Sequence, residues 1–340
     1  MPKETVERVA HLPQDGSAWV ATACRARAWI SPKGRPSYRP YMIMVMEASC
    51  GLIRLGKVVA DAPDADVVLS SLIYAMRNPA AGSGKRVRPS RIAIDDRNLV
   101  GALAGPLSQI GIQCVYEERF PPIDFAMRDL ERSSRGDDDR PGLLDIPGTT
   151  PSLLEELFAA AAFFHGRAPW RRMDNWMPVE VRYPAGGPCR YLILLGYGGE
   201  EYGLAYYPTI ADLRANYSDL DPERVFERVT AVSLTYGEAN LLTFDDLDAI
   251  EKYRWPVASS TLYPFLIKMI PPGKRIGVPD VDEIKLMAAA LRTLPDFVSK
   301  TLQVDAGKPQ PGQGIFCLPD VHGGNGIALR FPVDIFGTDN

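Results

Sequence analysis

The chain has 340 residues, of which 46% are hydrophobic and 24% charged, with a formal net charge of -4. That balance is the one found in ordinary soluble globular proteins and excludes a disordered or fibrous chain, while the length makes two domains the expectation. The longest apolar runs, YMIMVM (41–46) and LFAAAAFF (157–164), fall well short of the roughly 20 residues that span a bilayer, so no membrane segment is expected. MPKETVERVAHLPQDG lacks the apolar centre and small-residue cleavage site of a secretory signal, which leaves the cytoplasm as the expected location.

The first part reads as strand 18–30, strand 41–47, strand 52–60, helix 64–77, strand 91–95, helix 97–110, strand 112–117 and helix 123–132. Pro63 and Asp64 give a stop-and-cap signal, after which Val67, Val68, Leu72, Ile73 and Met76 recur at helical spacing until Asn78 and Pro79 end the helix. RIAID is a short run between Pro89 and the Asp95–Asp96 pair, with a helix directly behind it, which is the pattern of a strand feeding a crossover helix. The expected fold class here is an α/β domain on a mixed sheet, spanning residues 1–132.

ERSSRGDDDRPGLLDIPGTTP (131–151) combines Ser, Gly, Pro and three aspartates with few large apolar residues, so 133–150 is expected to be a linker, exposed around 133–141. Beyond it, 151–340 reads as an α+β domain. A strong helix in SLLEELFAAAAFFHGRAPW ends at Pro169, and three strand-like pieces in 177–209 are joined by AGGP and GYGGEEYG. A short helix capped by Thr209 follows, then a hairpin through YGEAN, the helix DDLDAIEKY and the strand YPFLIKMI. Residues 281–302 form an amphipathic helix interrupted at Pro295, and GIFCLPDVHGGNGIALRFP reads as a terminal hairpin around GGNG. No period of 20 to 50 residues recurs, which excludes a solenoid.

Three strands, a helix, a strand, a helix, a strand and a helix is also the element order of the ribonuclease H-like fold, and residues 18–132 resemble it in topology. That resemblance implies a nuclease whose acids, from the first strand, first helix, fourth strand and a later helix, hold two divalent ions. With YMIMVME as the first catalytic strand, Glu47 takes the first place, Asp95 or Asp96 closes the fourth strand, and Asp124, Asp129 or Glu131 lies on the last helix. With 18–30 as the first strand, WVATACRARAWI offers no acid at all. The helix at 64–77 carries no carboxylate past Asp64 and Asp66, so the set is incomplete for hard cations that need several converging oxygens. Glu47 is then expected as a strand-end carboxylate facing solvent.

Other motifs are weaker. AAGSGKR (80–86) fails as a P-loop because Pro79 and Arg86 stand where Gly and Ser/Thr are required. GYGGEEYG and HGGNG fit hairpin turns. Cys24, Cys50, Cys114, Cys189 and Cys317 are scattered and odd in number, as expected for buried, reduced thiols, and His11, His165 and His322 form no zinc pattern, so no metal or cofactor is expected. The net charge gives nucleic acid no general footprint; if one binds, the basic run at 85–91 places it at Lys85, Arg86, Arg88 and Arg91. Arg167, Trp170, Arg171, Arg172 and Trp176 combine the residue types that interfaces favour, in a stretch that Pro169 is expected to turn out of regular structure, and they are the expected partner-binding surface.

RPYMIMVMEASCGLIRLGKVV, LIYAMRNP and RPSRIAIDDRNLVGALAGPLSQIGIQCVY together resemble an uncharacterised bacterial domain of unknown function. FFHGRAPWRRMDNWMPVEVR and YLILLGYGGEEYGLAYY resemble a second that often follows the first. The resemblance implies a two-domain bacterial protein and no activity. With no cofactor fingerprint, no nucleophile beside a base and no full ligand set, the expectation is a cytoplasmic binding or regulatory module, with a divalent-metal-dependent nuclease as the alternative.

Overall fold

The computed structural model describes residues 6–7, 9–35, 37–135, 140–199, 201–218, 228–271, 275–302, 304–305, 308–318 and 326–335. The contacts along the chain divide it into two compact units, 1–139 and 140–340.

In the first unit β1 (Ala18–Arg25), β2 (Tyr41–Glu47), β3 (Ile53–Val59), β4 (Arg91–Ile94) and β5 (Gln113–Tyr116) form one mixed sheet in the order β3-β2-β1-β4-β5. The first three strands pair antiparallel, and β1, β4 and β5 run parallel. Helices α1 (Ala65–Arg77) and α2 (Arg97–Ser108) pack their apolar faces on one side of the sheet, against Trp19, Ile43, Val45, Ile92 and Ile94. Side chains alternate along a strand, so Val20, Met42, Met44, Met46 and Ala93 face the other way, where α3 (Pro121–Arg135) covers them with Ile123 and Met127. Asp64 caps α1 by accepting from Val67 N at 2.8 Å, as its place after Pro63 predicts.

In the second unit eight strands form an antiparallel sheet in the order β11-β10-β9-β8-β7-β6-β15-β14. They are β6 (Val179–Arg182), β7 (Cys189–Leu195), β8 (Gly203–Tyr207), β9 (Ala231–Gly237), β10 (Tyr263–Ile270), β11 (Arg275–Gly277), β14 (Gly312–Phe316) and β15 (Ile327–Phe331). A separate ribbon pairs β12 (Val304–Asp305) with β13 (Lys308–Pro309). Helices α4 (Pro151–Arg167) and α7 (Val281–Asp296) close one face over Val179, Leu192, Leu204 and Leu234, while α5 (Ile210–Asn216) lies with Leu213 among Ile193, Ala205 and Tyr207 on the other. Helix α6 (Phe244–Tyr253) completes the unit.

Several expectations change. The strand expected to run to residue 30 stops at Arg25, and Ile30 pairs with Tyr38 as an isolated bridge. YGEAN makes no hairpin: β9 leads into a 3-10 turn at Ala239–Leu241 and finds its partners in β8 and β10, so the nearest polar turn was not the strand's true neighbour. Pro295 does not break α7, which runs to Asp296 and continues as a π turn through Thr301. The terminal hairpin strands pair as expected, whereas the Gly-Gly-Asn part of its turn lies outside the described residues. Only part of 133–150 is connector in character: α3 extends to Arg135, and Leu143 and Ile146 are buried in the core of the second unit. Aspartates 137–139 lie outside the described residues. All five cysteines are free, but none is fully buried, and Cys50 and Cys317 are exposed. Among the described residues no helix is long and apolar enough to cross a membrane.

Candidate functional site

The acids singled out in the first unit are spread over three separate structural tasks. Glu47 does not face solvent freely. It closes on Arg54, whose side chain is 5% exposed, with Nη2 2.9 Å from Glu47 Oε2. The rest of that guanidinium stacks 5.0 Å from the Trp19 ring and donates to Lys85 O at 3.1 Å. AAGSGKR therefore wraps a buried arginine: Gly84 takes a positive φ with Arg54 beside it, and Ala80 N donates to Arg54 O. A cation taken out of water needs a paired anion, and Glu47 supplies it.

Asp96 caps α2 by accepting from Asn98 N at 2.7 Å and Leu99 N at 3.2 Å. Asp95 ends β4 beside β1, where Thr22 Oγ1 donates to its Oδ2 at 2.6 Å. Burial raises the Asp95 carboxyl above the usual carboxylate range; the Thr22 hydroxyl works against this, and the charges of Asp96 and Asp124 add to it. Asp124 itself lies 3.5 Å from Arg119, Asp129 pairs loosely with Arg132, and Glu131 accepts from Arg27 at 2.7 Å. Among the described residues no three His, Cys, Asp or Glu side chains are placed to share a metal ion.

The parallel strands β1 and β4 lie side by side, and their chains leave in opposite directions, β1 towards β2 and β4 towards β5. Thr22, buried in the middle of β1, stands beside Asp95, the residue that directly follows β4. Sequence reading missed Thr22 because it looked only for acids.

The basic run divides as well. Lys85 and Arg86 are exposed, Arg88 donates to Leu12 O and Ile110 O, and Arg91 pairs with Glu117 at 3.2 Å. Arg88 thus fastens the N-terminal segment to the end of α2 instead of lying on a solvated rim.

The arginine and tryptophan cluster of the second unit is split by one backbone event. Helix α4 ends where Ala168 enters the left-handed region (φ 45°, ψ 56°), its N–H donating to Phe164 O and His165 O. Pro169 opens a 3-10 turn that folds Trp170 back onto the helix it has just left. Trp170 is 6% exposed and packs against Phe164 (5.6 Å), His165 (5.7 Å) and Tyr202 (5.0 Å). The expected outward tryptophan is therefore core. Gly196, at φ 125°, belongs to the same packing, since a Cβ there would lie 2.6 Å from Tyr202 and 3.0 Å from Trp170. His165 sits against these rings and Tyr236, and burial lowers its pKa, so it is a neutral packing residue at pH 7.

Trp176 behaves differently. Asp174 Oδ1 accepts from Trp176 N at 2.8 Å, a local turn that presents the indole outward with 65% of the residue exposed. One face of the indole stacks on Tyr217 at 5.0 Å and 25°, and Tyr217 is fixed by its hydroxyl bond to Asn175 O at 2.5 Å. Arg171 and Arg172 are exposed, and Arg167 lies 3.5 Å from Asp296. The ring pair is an aromatic face left open to solvent, with Arg171 and Arg172 close to it in the chain.

The chain is thus a two-domain protein, an α/β unit on a mixed sheet followed by an α+β unit on an antiparallel one. Residues 5–131 match a domain of unknown function, DUF6930, and residues 155–312 match a second, DUF7309. No curated protein matches the chain.

Proposed function

We propose that this protein is a non-catalytic binding or regulatory module of the cytoplasm, whose partner is held on the Trp176 face of the second unit. The observation that carries this reading is the platform itself: a tryptophan left 65% exposed, yet stacked and held in place, with Arg171 and Arg172 exposed nearby in the chain. Ordering such a side chain before a partner arrives lowers the entropy cost of binding it. The five free cysteines accord with a reducing compartment. The strand order β3-β2-β1-β4-β5, with three antiparallel strands and two parallel additions, supports a ribonuclease H-like reading of the first unit. In that reading Thr22 stands beside Asp95 where a nuclease of the fold places its first-strand acid, which supports a binding over a hydrolytic role.

The test separates platform from core. Trp170→Ala is expected to cost roughly 3–5 kcal/mol of second-unit stability because it empties a packed site. Trp176→Ala is expected to keep the wild-type melting temperature. Affinity capture on the full chain, quantified by mass spectrometry, then compares wild type with Trp176→Ala and with Arg171→Glu/Arg172→Glu. A protein retained by wild type and lost by both variants supports the platform. Identical retention by all three removes it.

A further inference from the structure

We draw no further inference here: the strongest candidate, the apolar groove between α3 and the β3 edge of the first unit's sheet, carries nothing because its floor of Met42, Met44 and Met46 is already packed under α3, its rim carboxylate Asp129 pairs with Arg132, and nothing in the structure shows what covers it.

Discussion

At the scale of single residues, the chemistry-bearing side chains are explained by what they touch. Glu47 looked catalytic because it ends an apolar strand, but the residue that determines its role is Arg54, seven positions on and across a turn. An arginine in a strand reads as solvent-facing, so its burial was not legible from sequence; it follows from Trp19 on the neighbouring strand and from the glycine loop that closes over it. Replacing Glu47 with Ala leaves a guanidinium at 5% exposure with only a carbonyl partner. The expected cost is roughly 3 kcal/mol, at the lower end for a broken buried pair because Glu47 itself reaches the surface. Denaturant unfolding of the first unit checks it, and a change within error of zero would mean that Arg54 finds water. Trp170 and Trp176 teach the complementary point. Composition marked both as interface residues, and only the left-handed turn at Ala168, a conformation that no alanine announces, sends one inward and leaves the other out.

At the scale of elements, periodicity located most strands and helices but not their partners. The β9 strand was visible, yet its partner β10 begins 26 residues after β9 ends, beyond a helix that no local signal could bridge. The segment before α4 was misread for a related reason. Its polar composition hid Leu143, whose N–H donates to Asp246 Oδ1 at 2.6 Å and so ties the start of the second unit to the first turn of α6. Burial raises the Asp246 carboxyl to about 6, against the bonds from Leu143 and Thr243; the neighbouring charge of Asp245 adds to the rise, and that of Arg140 opposes it. A raised acid pKa means that the folded state holds the proton more tightly. Its stabilising effect is therefore full below the unfolded value of ~3.9 and is lost as pH rises through about 6. Asp246→Asn keeps an acceptor for Leu143 N and removes the charge. The gap corresponds to roughly 3 kcal/mol, of which up to ~1 is taken back by losing an acid from the first turn of a helix. The variant is thus expected to be about 2 kcal/mol more stable than wild type at pH 8, with the difference gone near pH 4. Thermal unfolding across that range decides it; a variant less stable at pH 8 would show that the ionised carboxylate is needed to hold Leu143.

At the scale of the whole molecule, the two-part organisation and both fold classes were legible, since crossover helices after short strands and Gly-rich turns between apolar runs leave local traces. The function of the first unit was not, because it turns on which side chains converge. Its acids are committed one by one, Glu47 to Arg54, Asp96 to a helix cap and Asp95 to Thr22, and the central claim of the proposal is that such a unit does not cleave nucleic acid. The most direct test incubates the full chain and its Asp95→Asn variant with single-stranded DNA, duplex DNA, RNA and an RNA·DNA hybrid in the presence of manganese, with manganese binding followed in parallel by calorimetry. The account predicts no cleavage by either protein and no heat of binding that Asp95→Asn removes. Manganese-dependent cleavage of any of the four, present in wild type and abolished by Asp95→Asn, would contradict it.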